Sequence, residues 1–497
     1  MPSFDLDEAS IAASGRALDD RTISSTELTA AYLARIERLD GGEGGVGSVL
    51  EINPQAMDSA AALDAELSGG RRRGPLHGMP ILLKDNFDTA DAMLTTAGSL
   101  ALTGSRPQGD ARCVRRLRAA GVVILGKANL SEWANFRSTT SISGWSARGG
   151  QTRNPYVLDR SPCGSSSGSA AAVSANLAMA ALGTETDGSV VCPSSVCGVV
   201  GVKPTLGLVD GTGVIPIARS QDVVGVHGRT VDDAALVLEA LAGAGRGAAS
   251  RREYSRGLRP DALRGARLGV LRQQFCGYSE AADALLAEAL LALRACGAIL
   301  RDPALLPSAE ELTASTAELT VLHHEFHAGL DAYLAARADP DVRSLADVIA
   351  FNSAHADLEL RLFGQEHMEA ALETGGLEEP AYLDARAECL RLSRTEGLDS
   401  VLEGDQLDAL VSLTGGPAWR LADSDGEPDT GASQPAAMAG YPAVTVPMGR
   451  VSGELPVGLT FTGRPFSEGA LLSLAHAFEV ATRARRRPRF LPTLSQP

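Results

Sequence analysis

The spacing of apolar side chains predicts a helix near the start of the chain. Leucine, tyrosine and isoleucine recur every three or four positions between residues 28 and 39, as on one face of an α-helix. Ser24 and Glu27 precede this run with the spacing of a capping box, in which each side chain bonds the backbone N–H of the other. Gly41 and Gly42 follow the run and end the helical pattern.

Short, uninterrupted apolar runs alternate with helical patterns along much of the chain, and each run has the length of a buried β-strand. Strands buried on both faces belong to sheets that are covered by helices on either side. We therefore predict an α/β protein, an α/β/α sandwich with a mixed, largely parallel central sheet. The last two runs are close enough in sequence to form a hairpin. The predicted strands cover residues 80–86, 122–125, 196–205, 266–271, 298–301, 407–413, 443–449 and 455–463.

Three further segments have helical patterns. Residues 169–182 (SAAAVSANLAMAAL) carry small side chains that allow backbones to approach closely, so we place this helix deep in the core. Residues at about 308–400 are almost entirely helical in pattern and form a helical layer or an insertion, and a closing helix covers 467–484. No internal repeat or linker divides the sequence, which we interpret as a single domain over residues 1–497.

Charge and cysteine content narrow the classes of function. The formal net charge is −16, which argues against binding to nucleic acid or to an anionic membrane surface. No apolar run reaches the roughly 20 residues of a membrane span, and the acidic N-terminus shows no secretory signal. The seven cysteines include no C-x-x-C pair, so we expect reduced thiols in a cytoplasmic protein.

Lysine is rare in this sequence, which makes each remaining lysine informative. Of the 45 basic residues, three are lysines: Lys84, Lys127 and Lys203. Arginine serves wherever a solvated positive charge is enough, whereas a buried lysine can lose its proton. Lys84 follows three apolar residues, and such surroundings favour the neutral amine, so it is our candidate base. We interpret Lys127 and Lys203 as structural.

Two turns rich in serine and glycine flank the alanine-rich segment. They are CGSSSGS at 163–169 and GTETDGS at 183–189, and neither contains a histidine. A serine hydroxyl becomes a good nucleophile only when another group takes its proton. A second serine can relay that proton to a neutral lysine, because a hydroxyl both donates and accepts. The two turns and Lys84 therefore supply the parts of a serine–serine–lysine relay, with backbone N–H groups of the second turn available to an oxyanion.

Three competing motifs lack a required part. Residues 164–168 match the G-x-S-x-G nucleophile elbow, but a charged, proline-containing segment replaces the strand before it, and His476, the late histidine it needs, lies in a helical pattern. His323 and His327 lie one helical turn apart, yet the intervening glutamate is one place from its position in a zinc helix, and no further ligand cluster is visible. No Walker loop occurs, and we expect no metal and no cofactor.

At these residues the sequence resembles the amidase signature family. The resemblance rests on Lys-Asp-Asn at 84–86, on the two serine–glycine turns, and on VCGVVGVKPTLGLV at 196–209. It extends over most of the chain, from the first predicted helix to the terminal hairpin, and implies the amidase signature fold.

The resemblance also implies roles for individual residues. The family's triad is Ser–cis-Ser–Lys, so Ser189 matches the nucleophile, Ser165 the relay serine after a cis peptide bond, and Lys84 the base. The 24-residue offset between the two serines is the family's own and selects Ser165 over its serine neighbours. The implied oxyanion hole consists of the backbone N–H groups of Thr186, Asp187, Gly188 and Ser189.

Departures from the family pattern bear on the substrate. Many members follow the nucleophile with x-Arg, which malonamidase-type enzymes use for a substrate carboxylate, whereas this chain has Val190 and Val191. The usual double glycine before the nucleophile is Asp187-Gly188. With residues 131–156, these variants are similar to the family's peptide amidases, which convert the C-terminal carboxamide of peptides to the acid and ammonia. A peptide or small-molecule amide is the implied substrate, and Trp133 and Asp187 are the candidate substrate contacts. The Asp187 side chain can equally hydrogen-bond the backbone of its own turn.

Other activities are compatible with the same residues. Within the enzymes, the alternatives are a broad aliphatic or aryl amidase, and an amidotransferase A-type subunit that needs a partner to deliver its acceptor. From a different class, an inactive scaffold on the same fold is the alternative, although all three triad positions are present. The sequence indicates no oligomeric state and no preference for peptide length.

Overall fold

The computed structural model of the 497-residue chain describes residues 4–42, 44–242, 253–273, 275–337, 339–422 and 431–494. Among these residues, no helix has both the length and the apolar character needed to cross a membrane.

Helices and strands alternate through most of the described chain. The α-helices are α1 (Ile11–Asp19), α2 (Ser25–Leu39), α3 (Ala56–Ser68), α4 (Arg112–Ala119), α5 (Ser167–Ser174), α6 (Val191–Val196), α7 (Val231–Leu241), α8 (Glu280–Ala295), α9 (Ala309–Ala314), α10 (Ala317–Arg337), α11 (Leu345–Ala354), α12 (Ala356–Glu359), α13 (Glu366–Leu372), α14 (Pro380–Leu390), α15 (Asp399–Gly404), α16 (Gln434–Ala439) and α17 (Glu468–Thr482). Short 3₁₀ segments cover Leu100–Leu102, Glu132–Asn135 and Ser255–Gly257, and a π-helical segment covers Arg391–Leu398.

The strands are β1 (Val49–Ile52), β2 (Pro80–Lys84), β3 (Val123–Ala128), β4 (Trp145–Ser146), β5 (Gly150–Gln151), β6 (Ala180–Glu185), β7 (Val200–Lys203), β8 (Val223–Gly228), β9 (Arg267–Leu271), β10 (Ile299–Ala304), β11 (Ala409–Leu413), β12 (Ala443–Val451) and β13 (Leu455–Thr462). All but β4 and β5, which pair with each other, form an eleven-stranded sheet in the order β1-β3-β2-β6-β8-β7-β12-β13-β11-β9-β10.

The sheet is mixed and flanked by helices, which confirms the predicted α/β/α sandwich. Among the described strands, four of the ten pairings in this sheet are parallel and six are antiparallel, so the expectation of a largely parallel sheet is wrong. Parallel pairing occurs in two blocks, β3-β2-β6 on one side and β11-β9-β10 on the other. The strands between these blocks pair antiparallel, including the predicted hairpin of β12 and β13. Because β2 and β6 are parallel neighbours, their carboxyl ends meet at the same edge of the sheet.

The apolar core has two main parts in the described chain. One cluster joins the central strands to α2, α5, α7, α8 and α17. A second cluster joins α10, α11 and α13 to residues 133–136 and 215–218. The helical segment between β10 and β11 therefore packs over the loops that follow β3 and precede β8.

The predicted helix at 169–182 is too long. The helix α5 ends at Ser174, and the last three residues of the predicted segment already belong to β6. Asn176 has a φ of 58°, in the left-handed region that an α-helix cannot continue through. Alanine and leucine fit a buried strand as well as a buried helix, so apolar content alone could not place this boundary.

Candidate active site

Lys84 is the last residue of β2, which lies between β3 and β6 in the sheet. Every residue of this strand is buried, and Lys84 has no exposed surface. Its amine nitrogen lies 2.8 Å from Ser165 Oγ, 2.9 Å from Thr184 Oγ1 and 3.1 Å from Ser166 Oγ. The strand therefore places the amine among three hydroxyl groups.

Burial of this amine favours its neutral form. Removal from water disfavours the ammonium ion, and this lowers the pKa of Lys84 from 10.5 to about 7. The negative charges of Asp222 and Glu185 act in the opposite direction and are the smaller effects. A pKa in this range makes the neutral amine, which can accept a proton, accessible near neutral pH.

Ser165 connects the amine to Ser189. Ser165 Oγ lies 3.0 Å from Ser189 Oγ and 2.8 Å from Lys84 Nζ, so one hydroxyl contacts both groups. The Gly164–Ser165 peptide bond is cis, as the resemblance implies. The N–H group of Ser166 donates to the Ser189 carbonyl at 3.1 Å. These contacts join the two serine–glycine turns beside Lys84.

Thr184, Ser166 and Asn86 complete the surroundings of the amine, and the sequence reasoning did not select them. Thr184 Oγ1 accepts from the Asn86 amide at 2.9 Å, and Ser166 Oγ donates to the Thr184 carbonyl at 3.0 Å. All three residues lie inside the motifs that carry the family resemblance, and this proximity is the signal that could have found them.

Gly188 gives the second turn its shape. Its φ is 73°, in the left-handed region that residues with a Cβ rarely adopt. A Cβ at this position would also lie 3.0 Å from Ser433 Oγ, a tight contact. The second glycine of the GTETDGS motif is therefore required by the backbone of the turn that ends at Ser189.

The carboxyl groups of Asp222 and Glu185 are buried and hydrogen-bond to residues in and directly after this turn. Asp222 Oδ1 accepts from Thr186 Oγ1 at 2.6 Å. Glu185 Oε2 accepts the N–H groups of Val190 and Val191 at 2.7 and 3.0 Å, at the start of α6. Burial raises the pKa of both carboxyls, that of Asp222 to about 6. Neither valine offers a cation to a substrate carboxylate.

The predicted oxyanion donors are not equivalent. In the part of the chain that the structure describes, the N–H groups of Thr186, Asp187 and Ser189 donate to no protein acceptor. The N–H group of Gly188 faces the Glu185 carboxylate. Unpaired N–H groups next to a serine hydroxyl can stabilise an oxyanion, so three of the four predicted donors are free for that purpose.

Trp133 lies in a left-handed turn next to Ser165. Residues 133–135 have φ values of 50°, 56° and 68°, and Ser131 just before them donates its N–H to the Ser165 carbonyl at 3.1 Å. The Trp133 side chain is buried in the cluster that contains Phe326 of α10. Its indole N–H has no hydrogen-bond partner among the described residues.

Cys163 and Cys192 form a disulfide, so the expectation of reduced thiols is wrong for this pair. Cys163 immediately precedes Gly164, and Cys192 lies three residues after Ser189. The pairing is non-local, because the fold brings the two turns together, and a search for C-x-x-C spacing cannot find it. Cysteine content therefore gives no support to a cytoplasmic location.

The other two lysines have different partners from Lys84. Lys127 Nζ donates to the carbonyls of Phe87 and Leu94, both at 2.8 Å, and Lys203 Nζ donates to the Tyr441 carbonyl at 2.7 Å. Both lysines are fully buried and tie separate loops together, in keeping with their interpretation as structural.

The histidines of the competing motifs have protein partners. A ring nitrogen of His323 lies 3.2 Å from one of His367, and His327 Nδ1 lies 3.2 Å from the Thr374 carbonyl oxygen. His476 lies within α17, as its helical pattern predicted.

The central geometry of this site is a continuous row of three groups: a buried amine, a bridging hydroxyl and a terminal hydroxyl beside unpaired N–H groups. Such a row can carry a proton from Ser189 to Lys84 while the Ser189 oxygen attacks a carbonyl. With the helix-flanked mixed sheet, this geometry is that of a hydrolase that acts on carboxylic acid derivatives.

Comparisons with known proteins identify the family. The sequence profile of the family described as Amidase matches residues 27–472. A probable amidase of Arabidopsis thaliana is 40% identical over 98% of this chain and 93% of its own length. The crystal structure of native peptide amidase from Stenotrophomonas maltophilia has a TM-score of 0.93 and 51% identity, covering 98% of this chain and 99% of that chain. The A-type subunit of glutamyl-tRNA(Gln) amidotransferase from Moorella thermoacetica is 36% identical over 95% of this chain and 96% of its length.

The chain belongs to the amidase signature family, and it is an amidase, a hydrolase of amide bonds.

Proposed function

We propose that this protein hydrolyses carboxamides to acid and ammonia by a Ser189–Ser165–Lys84 triad through an acyl-enzyme. The observation that carries the proposal is the unbroken row from Ser189 Oγ through Ser165 Oγ to Lys84 Nζ, with separations of 3.0 and 2.8 Å. Full burial of the amine supports its role as the base, because only the neutral form can accept a proton.

The proposed reaction has two halves. Neutral Lys84 takes the Ser165 proton while Ser165 takes that of Ser189, and the Ser189 oxygen bonds to the amide carbonyl carbon. The oxyanion is stabilised by backbone N–H groups of the 186–189 turn. The proton returns along the row to the leaving nitrogen, the C–N bond breaks and ammonia departs. Water then attacks the ester, and the same row returns a proton to Ser189.

The C-terminal carboxamide of peptides is the proposed substrate. The likeness to a peptide amidase at 51% identity over nearly the whole chain supports it. The buried, apolar Val190 and Val191 also support it, because they leave no cation there for a free carboxylate beside the scissile amide. We further propose that residues 1–497 act as one domain, and that Trp133 and Asp187 line the substrate site.

Glutaminase activity as part of an amidotransferase is the second candidate, because one A-type amidotransferase protein is 36% identical over most of the chain. That activity depends on partner proteins, whereas the proposed peptide amidase works alone. Release of ammonia from a blocked dipeptide amide by the purified chain therefore supports the first function. Turnover of glutamine, and of no peptide amide, would support the second.

Paired serine variants test the triad. Ser165 and Ser166 are neighbours that both contact Lys84, but only Ser165 contacts Ser189 through its side chain. Ser165→Ala should lower kcat by about 10²–10⁴ because the relay is interrupted, and Ser166→Ala should lower it by less than about tenfold. Ser189→Ala should abolish turnover and prevent acyl-enzyme formation, which intact mass spectrometry measures. Equal losses from Ser165→Ala and Ser166→Ala would contradict the relay.

A further inference from the structure

The residues that immediately precede β8 lie beside the first of the proposed oxyanion donors. Strands β6 and β8 pair antiparallel, and Glu185, the last residue of β6, is registered with Val223, the first residue of β8. Thr186 therefore leaves the sheet at the point where the chain enters it from residues 217–222. We call residues 217–222 the support turn.

The support turn holds Thr186 by two hydrogen bonds. Thr186 Oγ1 donates to Asp222 Oδ1 at 2.6 Å, and Gln221 Nε2 donates to the Thr186 carbonyl oxygen at 3.3 Å. In a planar trans peptide the carbonyl group and the next N–H group point in opposite directions. The bond from Gln221 therefore also fixes the direction of the Asp187 N–H group, which is a second proposed oxyanion donor.

Asp222 closes the support turn as well as holding Thr186. Its Oδ2 accepts the N–H groups of Ile217 and Ala218 at 2.9 and 3.0 Å, while its Oδ1 accepts from Thr186. One carboxylate thus joins the shape of the support turn to the position of Thr186. A displacement of the support turn would therefore displace Thr186.

Two carboxylates of α10 bind the support turn from the helical segment between β10 and β11. Glu325 Oε2 accepts the Ser220 N–H group at 2.8 Å, and Glu318 Oε1 accepts from the Gln221 amide at 2.8 Å. The other oxygen of Glu318 accepts from the Gln434 amide at 3.0 Å. Glu318 and Glu325 are both buried, and their spacing of about two helical turns places them on one face of α10.

We propose that Glu325 is a positioning residue for the proposed oxyanion donors and that it acts through the support turn. This inference rests on the proposed triad mechanism. The path runs from Glu325 to the Ser220 N–H group, through the support turn to Asp222, and from Asp222 to Thr186. Displaced donors bind the developing oxyanion less well, so loss of this path weakens binding of the transition state more than binding of the substrate.

Two substitutions of Glu325 test the path. Glu325→Met removes both carboxylate oxygens and keeps a side chain of similar length, whereas Glu325→Gln keeps one acceptor for the Ser220 N–H group. Loss of a whole oxyanion donor costs about 10²–10³ in kcat, and a displaced donor keeps part of its effect. Glu325→Met should therefore lower kcat about tenfold with KM nearly unchanged, and Glu325→Gln should recover most of that loss. The assay is ammonia release from a blocked dipeptide amide.

A blocked dipeptide aldehyde reports on the oxyanion donors without turnover. The Ser189 O–H group adds across the C=O bond of the aldehyde, so that the carbon bonds to the Ser189 oxygen and the former carbonyl oxygen receives the proton. This tetrahedral adduct places an oxygen where the oxyanion of the reaction would lie. The inhibition constant of the aldehyde should therefore rise in Glu325→Met by about the factor by which kcat falls. A change in overall stability alone would not link these two measurements.

Tyr382→Phe is the matched control. Tyr382 of α14 donates its hydroxyl to Glu325 Oε1 at 2.7 Å, whereas the support turn is bound by the other oxygen of Glu325. This variant removes one hydrogen bond of Glu325 and leaves the bond to Ser220. It should lower the melting temperature and change neither kcat nor the inhibition constant of the aldehyde.

Asp222→Asn tests the same path from the support turn. An asparagine has one side-chain oxygen, which cannot accept both from Thr186 and from the N–H groups of Ile217 and Ala218, so kcat and aldehyde affinity should again fall together. If circular dichroism shows that Glu325→Met does not fold, Asp222→Asn decides alone.

The outcomes separate this inference from the mechanism beneath it. A folded variant with wild-type kcat, with a raised KM at unchanged kcat, or with a lower kcat at unchanged aldehyde affinity would overturn the inference. With an inactive Ser189→Ala variant, each of these results leaves the triad in place. An active Ser189→Ala variant would remove the triad and this inference with it.

Discussion

The pH dependence of the first half-reaction follows from the state of Lys84. With a pKa of about 7, the neutral fraction of the amine is about one tenth at pH 6, one half at pH 7 and nine tenths at pH 8. Because the neutral form is the acceptor, kcat/KM should rise about tenfold between pH 6 and pH 8. An unburied lysine with its usual pKa of 10.5 would be neutral in only about 3 molecules in 10,000 at pH 7.

Removal of the Lys84 amine should therefore lower kcat/KM more than a change in the pKa of that amine would. Lys84→Arg keeps a positive charge that does not dissociate, and Lys84→Met keeps a chain of similar length with no base. Both should lower kcat/KM by about 10³–10⁴, the upper range for loss of a general base. The two variants differ in charge, so similar losses assign the effect to proton acceptance.

The assay is ammonia release from a blocked dipeptide amide between pH 5 and pH 9, in buffers of constant ionic strength. Circular dichroism and the melting temperature of each variant report whether it is folded. A wild-type midpoint near pH 10 would refute the argument from burial. So would a folded Lys84→Arg enzyme that keeps a tenth of the wild-type rate.

Three further predictions concern the turns and the disulfide. Gly188→Ala should lower kcat about tenfold, because its φ of 73° costs an alanine about 1–2 kcal/mol. Gly207→Ala is the control: Gly207 has a φ of 81° and open space around it, so this variant should lose stability but keep its kcat. Gly183→Ala should give little folded protein, because its Cβ would lie 2.5 Å from His227 Nε2 and 2.6 Å from Ser166 Oγ; soluble enzyme with a wild-type melting temperature would contradict this. Reduction of the Cys163–Cys192 bridge should lower the free energy of unfolding by about 3–4 kcal/mol for its 29-residue separation, and dithiothreitol should leave a variant with serine at both positions unchanged.

Local patterns predicted those elements whose determinants are close in sequence. The capping box at Ser24 and Glu27 is present with both of its hydrogen bonds, and α2 follows it. The apolar run before Lys84 is the buried strand β2. The elements α1, β1 and α3 were not predicted, and the alanine-rich segment was taken as one helix, because small apolar residues fit either structure.

The residues of the candidate site differ in the same way: some lie in motifs that the sequence shows, and others are brought together only by the tertiary structure. The residues around Lys84 come from motifs that are recognisable one at a time, and the fold brings those motifs together. Glu318, Gln221 and Gln434 come from three separate segments without any motif, so only tertiary structure joins them. The Cys163–Cys192 disulfide could not be predicted from the sequence for the same reason.

Lysine scarcity narrowed the search for a base, but burial does not separate the three lysines. All of them are fully buried, and burial lowers the pKa of each. The Lys127 amine lies 3.8 Å from the Asp85 carboxylate, whose negative charge favours the ammonium form. The hydroxyl beside it, that of Thr95, lies 2.7 Å away and donates to the Phe87 carbonyl, which has no proton to give. A proton path from Lys127 therefore ends at a carbonyl.

The partners of the Lys84 amine make the distinction. It faces three hydroxyls, each of which can accept from an ammonium and donate to a neutral amine. One of them, that of Ser165, continues to the Ser189 hydroxyl, so the path ends at a group that can become a nucleophile. Hydroxyl partners therefore allow Lys84 to change its protonation state without leaving an unpaired atom, as a general base requires.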